Sequence, residues 1–206
     1  FLFPSFIMPL FNKFKPLDMT TARGIWNFRQ DKKYILFGAM DATSDSRKGY
    51  NELKQALELI KDDSVELIVF GSDKPKQQNL FNIKTNYVGE LNDDISLMTL
   101  YNCVDIMVVP SLQENLANTI MESLSCGTPV VAFDIGGNAD LIEHKKNGYL
   151  AKAFDIADLK YGIEWLLNNE NKNDIKSFAR EKVLNDFNSS KIVSEIKKTY
   201  LELLNK

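Results

Sequence analysis

Apolar residues fall along this chain in short β-rich runs that alternate with longer stretches of helical spacing. Tyr34-Ile35-Leu36-Phe37-Gly38 reads as a buried strand ending in glycine, and Glu52, Leu53, Ala56, Leu57 and Ile60 then follow helical spacing. The period returns to that of a strand at Val65 to Phe70, closed by Gly71-Ser72-Asp73, and Tyr87-Val88 is a short strand before Gly89. Asp93 and Asp94 stand where a cap is needed for a helix carrying Ile95, Leu97, Met98, Leu100 and Tyr101. Ile106 to Val109 is a strand stopped by Pro110-Ser111, Asn118 to about Ser125 a helix, and Pro129 to Phe133 a strand turned by Gly136-Gly137. After Gly148-Tyr149-Leu150 the pattern is helical to the end. One helix starts at Asp155 or Asp158 and runs through Trp165 and Leu167, and another runs from Asp174 through Phe178 to Leu184. The last is capped by Ser189 or Ser190 and carries Ile192, Val193, Ile196, Tyr200 and Leu203 on one stripe. The segment before Asp31 reads as an approach linker plus a helix around Thr21 to Phe28.

A β-α-β-α rhythm with strands apolar on both sides predicts an α/β fold, a Rossmann-like parallel sheet with helices on both faces. In such a sheet ligands sit beyond the carboxyl ends of the strands. The chemistry is therefore to be sought in Gly38 to Gly49, Gly71 to Asp73, Tyr87 to Leu91, Pro110 to Asn118 and Asp134 to Asn138.

Composition narrows the function classes. A net charge of −3 gives no reason to expect nucleic acid or an anionic membrane surface as partner. No apolar run approaches the roughly 18 to 20 residues that span a bilayer. Phe1-Leu2-Phe3-Pro4 is too short for a signal peptide and has no basic start or initiator Met, so the chain reads as starting inside a longer protein. Cys103 and Cys126 lie among apolar residues and read as buried free thiols of a reducing, cytoplasmic compartment. His144, the one histidine, stands beside Lys145 and Lys146 in a surface turn. Alone it makes neither a metal site nor a Ser-His-Asp or Cys-His mechanism attractive.

Three stretches could carry chemistry. In Pro110-Ser111-Leu112-Gln113-Glu114-Asn115-Leu116-Ala117-Asn118, Glu114 lies in a strand-to-helix loop and Glu122 about one turn inside the helix. Helix-start amides around Leu116 to Thr119 suit an anionic or strongly polar ligand. Carboxylates beside them repel phosphate but accept hydrogen bonds from paired hydroxyls, as on a sugar or ribose. The bland alternative is a capping acid and an exposed helix Glu. In Asp45-Ser46-Arg47-Lys48-Gly49, two cations precede a glycine at a helix start; this suits a diphosphate, or is a solvated basic turn. It is no Walker loop, and no Gly-x-Gly-x-x-Gly follows Gly38. In Ser125 to Gly137, Gly127 and Pro129 read as structural punctuation. Gly136-Gly137 is either a plain turn or a place where backbone approaches a ligand.

Taken together, these runs resemble the C-terminal, donor-binding domain of family 4 glycosyltransferases of the GT-B type. The resemblance rests on Pro110-Ser111-x-x-Glu114 followed at seven residues' remove by Glu122, then Gly127-Thr128-Pro129-Val130-Val131. Arg47-Lys48-Gly49, Tyr87-Val88-Gly89 and Asn147-Gly148 occur in family order. It spans roughly Phe14 to Asn205, and Gln113-Glu114-Asn115-Leu116 looks like the subset that builds bacterial surface polysaccharides.

The resemblance implies that residues 31–206 form a nucleotide-sugar-binding domain, the acceptor domain lying outside this chain. It implies transfer with retention from a nucleoside diphosphate sugar to a glycan or lipid-linked acceptor, with no divalent metal and no cofactor. The setting would be the cytoplasm, at the inner face of the membrane in the longer protein. Glu122 would hold the ribose hydroxyls, Glu114 would lie against the donor sugar, and the amides of Asn115, Leu116 and Ala117 would line sugar and diphosphate. Lys48 would bind phosphate, and the base would lie near Gly71 to Asp73, Tyr87 and Val88. One departure stands out. Ala39 occupies the place of an arginine that shares the phosphate in many members, and Arg47 is a candidate replacement. A GT-B type epimerase, a nicotinamide-binding oxidoreductase and a pure interaction domain are the rival readings on the same architecture.

Overall fold

The computed structural model describes residues 13–38, 45–71, 81–187 and 189–204. Six strands form one sheet: β1 (Lys33–Gly38), β2 (Val65–Phe70), β3 (Thr85–Gly89), β4 (Ile106–Val109), β5 (Val130–Phe133) and β6 (Gly148–Ala151). All pairings are parallel, in the order β3-β2-β1-β4-β5-β6. The chain thus winds outward in one direction through β2 and β3 and in the other from β4 to β6. The order reverses between β1 and β4, and a crevice opens at such a point beyond the strands' carboxyl ends. The expected α/β parallel sheet is what the chain forms.

Alternating residues of each strand feed two separate cores, as the pleat requires. Tyr34, Leu36, Ile68, Phe70, Met107, Val109, Val130 and Ala132 pack into one. That core is covered by α1 (Met19–Ile25), α3 (Asp94–Cys103), α4 (Asn118–Ser125) and α7 (Lys172–Asp186). Ile35, Phe37, Leu67, Val69, Ile106, Val108, Val131 and Phe133 pack into the other, beneath α2 (Tyr50–Glu58) and α6 (Ile156–Leu167). A one-turn α5 (Asn138–Leu141) follows β5, and α8 (Ser189–Leu204) ends the described chain.

Local chemistry sets the helix ends. Asp18, Asp93 and Asp155 each accept a hydrogen bond from the amide three residues on, capping α1, α3 and α6. Gly127, in the left-handed region at φ 77°, turns the chain out of α4. Some boundaries differ from the sequence reading. The first helix stops at Ile25 rather than Phe28, because Asn27 turns left-handed at φ 54°. α7 starts at Lys172, so Asp174 sits in its first turn rather than ahead of it. Gly148 to Ala151 is a sixth strand, where the sequence showed only the approach to a helix. Cys103 and Cys126 are buried and free, as expected. No helix among the described residues is long and apolar enough to cross a membrane. Phe1 to Pro4 lie outside the described residues.

Candidate functional site

At the carboxyl end of β4 the chain leaves the sheet as a loop from Pro110 to Ala117 before entering α4. Neighbouring loops clamp this segment from both sides. The Leu112 N–H donates to the Arg47 carbonyl at 2.8 Å, and the Gly137 N–H donates to the Asn115 carbonyl at 2.7 Å. Two of the contacts tolerate only glycine. Gly49 has φ 75°, and a Cβ there would lie 1.8 Å from the Pro110 oxygen; at Gly136, φ 52°, it would lie 1.9 Å from the Glu114 oxygen. What approaches backbone closely at Gly136 is therefore the Glu114 loop itself.

The clamp brings two of the sequence-derived candidates together. Lys48 Nζ stands 3.8 Å from Glu114 Oε2, and both side chains are partly buried. That separation is an ion pair, but longer than a good hydrogen bond, so the ammonium keeps donors for another acceptor. Arg47 is placed differently. It follows Asp45, which caps the short turn Ser46–Lys48, and its exposed guanidinium grips the half-buried Asp45 carboxylate at 3.0 and 2.8 Å. The Arg47 side chain and amide hold the Asp45 carboxyl below its usual range. Arg47 is thus engaged next door to Lys48, and Ala39, whose missing cation it was a candidate to replace, lies outside the described residues.

α4 begins without a side-chain cap. Among the described residues the amides of Leu116, Ala117, Asn118 and Thr119 find no acceptor, while the Asn115 amide reaches Glu114 Oε1 at 3.3 Å. Such an end offers donors and a positive dipole to an anion. One turn in, Glu122 turns toward α3 and accepts a 2.7 Å hydrogen bond from the Tyr101 hydroxyl. Burial pushes the Glu122 carboxyl up to about 7, the Tyr101 bond opposes that rise, and Asp94 adds to it. The two glutamates thus sit in distinct settings, one paired with a lysine, the other desolvated.

On the β3 side the candidates diverge. The Gly71 N–H is taken by the Gly89 carbonyl at 2.9 Å. Tyr87 packs with the core under α2, and Val88 with the core under α3 and α4. Adjacent residues of a strand face opposite ways, so these two side chains cannot line one pocket. Ser72 and Asp73 lie outside the described residues.

Among the described residues two buried side-chain atoms lack a partner, the Tyr50 hydroxyl and Asn138 Oδ1. They directly follow the clamping glycines Gly49 and Gly137. Unsatisfied buried groups are rare in folded proteins and cluster where structure serves something other than stability. Asn138 closes the stretch Asp134 to Asn138 that the sequence had marked, whereas Tyr50 and Tyr101 were missed, because nothing in a helical pattern separates such residues from ordinary core.

Comparison with known proteins places this fold in a family. The family model for glycosyl transferases group 1 matches residues 18–182. The Campylobacter jejuni N,N'-diacetylbacillosaminyl-diphospho-undecaprenol alpha-1,3-N-acetylgalactosaminyltransferase is 31% identical over 148 residues, which cover 70% of this chain and 38% of that relative. Sucrose-phosphate synthase from Thermosynechococcus elongatus superposes with a TM-score of 0.79 at 25% identity, over 95% of this chain and 51% of that one. Anabaena Alr3699/HepE, solved with UDP and glucose, superposes at 0.74 with 23% identity, over 92% and 54%. The fold is that of one half of a GT-B glycosyltransferase, and the chain spans about half or less of each of these proteins.

Proposed function

Because the chain belongs to the glycosyl transferases group 1 family, we propose that it is the donor-binding domain of a retaining glycosyltransferase. The donor is a nucleoside diphosphate sugar, and the acceptor is the hydroxyl of a glycan or lipid-linked sugar in bacterial surface polysaccharide synthesis. The acceptor is held by a domain outside this chain, at the inner face of the membrane. The Campylobacter relative's name, with its diphospho-undecaprenol acceptor, and the UDP held by HepE support this reading.

The observation that carries it is the Lys48–Glu114 pair, clamped at the switch point beside the uncapped start of α4. A diphosphate laid over that helix start meets the free amides of 116–119 and the spare donors of Lys48. As the bond to the sugar breaks, negative charge grows on the leaving phosphate, and fixed donors already aimed there stabilise it without reorganising. Glu114, beside the same lysine, accepts from the sugar hydroxyls and orients the anomeric carbon. Glu122 accepts from the ribose diol.

The test separates phosphate from nucleoside. Lys48→Ala is expected to weaken a nucleoside diphosphate about tenfold or more and the matching nucleoside less than about twofold, since a charge-assisted hydrogen bond is worth about 1.5 to 3 kcal/mol. Calorimetry with UDP, GDP, ADP and their nucleosides reads this directly. Equal losses for both ligands would remove Lys48 from the phosphate. A nucleotide-sugar epimerase would instead convert the donor with no acceptor present.

A further inference from the structure

We infer that Tyr101 is a positioning residue for the nucleotide, its hydroxyl holding the Glu122 carboxylate charged and aimed for a vicinal diol. The inference rests on the reading of Glu122 as the ribose contact.

Tyr101 is fully buried and fixed from three sides. Its ring meets Phe70 edge-on at 6.1 Å and Phe14 at 5.9 Å, and its carbonyl accepts from the Thr128 hydroxyl at 2.7 Å. Its hydroxyl therefore has one place to go, Glu122 Oε2 at 2.7 Å, on a helix 21 residues away in sequence. A carboxylate has about four acceptor positions. The tyrosine occupies one, and Glu122 Oε1 accepts from no donor among the described residues. A helix-packing role alone would be served as well by an apolar pair of the same shape, which avoids desolvating a charge. Phe70 adds a second link: it is the last residue of β2, immediately before Gly71. The same ring thus braces the strand end on the base side and the carboxylate on the ribose side.

The groups around Glu122 explain why the hydroxyl matters. From α3, Asp94 disfavours its charge, although Asp94 is itself tied to Lys13 at 2.6 Å. Along α4, Cys126 is a buried thiol whose pKa burial pushes far up. From α7, Arg180 is spent on the Phe14 and Ser125 carbonyls, Asp140 of α5 is exposed, and β4 and β5 carry no titratable side chain. The Tyr101 bond is the direct contact that favours the charged form.

Tyr101→Phe keeps the ring and deletes only the hydroxyl. Affinity is measured by calorimetry for UDP, GDP and ADP, and the tightest is carried through pH 6, 7 and 8.5. The expected result is a loss of about tenfold at pH 7 that shrinks to about threefold or less at pH 8.5, where Glu122 regains its charge. Glu122→Gln should lose about tenfold at pH 7 and 8.5 alike, and adding Tyr101→Phe to it should cost less than about twofold more. A Tyr101→Phe loss equal at every pH, or multiplicative with Glu122→Gln, would reduce the tyrosine to a packing residue. Glu122→Gln losing affinity while Tyr101→Phe does not would overturn the inference and leave the ribose reading standing. If Glu122→Gln loses nothing, or none of the three nucleotides binds, the ribose reading falls and takes the inference with it.

Discussion

The two ends of this sheet are built on opposite principles. At the amino end, every group of the buried Arg23 guanidinium is occupied. It donates to the Cys103 and Gln30 carbonyls at 3.0 Å and to Asp105 at 2.9 Å, and it lies 5.0 Å over the Tyr34 ring. Asp105 also accepts from the Tyr34 amide at 2.8 Å, and Lys33 ties Asp62 to Asn168. At the carboxyl end, two buried polar atoms among the described residues go unpaired, α4 starts uncapped, the ion pair is loose at 3.8 Å, and the left-handed glycines Gly49 and Gly136 press against backbone oxygens. Satisfied polar groups serve stability, whereas groups left wanting partners serve a ligand.

The sharpest way to break that contrast is to damage the amino end. Asp105→Ala strands the Arg23 charge in a site only about 5% exposed. Losing one partner of a buried ion pair costs about 3 to 5 kcal/mol. Urea unfolding should show that loss, while nucleotide affinity of the folded fraction stays within about twofold. An equal drop in affinity would mean the two ends are coupled.

At the carboxyl end, stability and binding should fall together. Gly49→Ala meets a left-handed backbone and the Pro110 oxygen at once. Strain of this kind costs about 1 to 3 kcal/mol, and the displaced loop should weaken nucleotide about tenfold or more. A variant that loses stability but binds normally would show that the clamp shapes the fold and not the site.

How much of this contrast was legible in the sequence depends on the kind of signal. Strand and helix periods located β1, β2, β4 and β5, because each is buried on both faces and bounded by Gly or Pro. The aspartate caps were legible to within a pair, Asp93 and Asp94 or Asp155 and Asp158, because capping is local, and the structure selects Asp93 and Asp155. β6 was not. Four residues beginning with glycine carry too little pattern, and tertiary pairing with β5 makes the strand. Lys48 and Glu114 could be nominated one by one, but their meeting depends on the clamp, which forms between loops from 22 to 65 residues apart in part through backbone alone. The divergence of Tyr87 from Val88 follows from the pleat once β3 is recognised. Asp45 disarming Arg47, and Tyr101 reaching Glu122, are side-chain geometry that no spacing announces.

The smallest expected effect tests whether Glu122 belongs with the carboxyl end's unsatisfied groups. Its folded-state carboxyl sits at about 7, raised from 4.5 chiefly by burial. A raised pKa means the folded protein holds a proton that the unfolded chain releases, so this group's stability is fully present below about pH 4.5. It is lost as pH rises through about 7, beyond which the profile levels. Glutamine keeps the shape and an acceptor for the Tyr101 hydroxyl without the titration. Glu122→Gln should therefore match the parent near pH 4 and exceed it by about 3 kcal/mol at pH 8, measured as the difference between unfolding curves. The gain comes from the same substitution expected to weaken nucleotide, the signature of a group kept for binding at the expense of stability. If instead the variant is less stable than the parent at pH 8, the carboxylate is a well-satisfied structural group, and Glu122 belongs with Asp105 at the other end of the comparison.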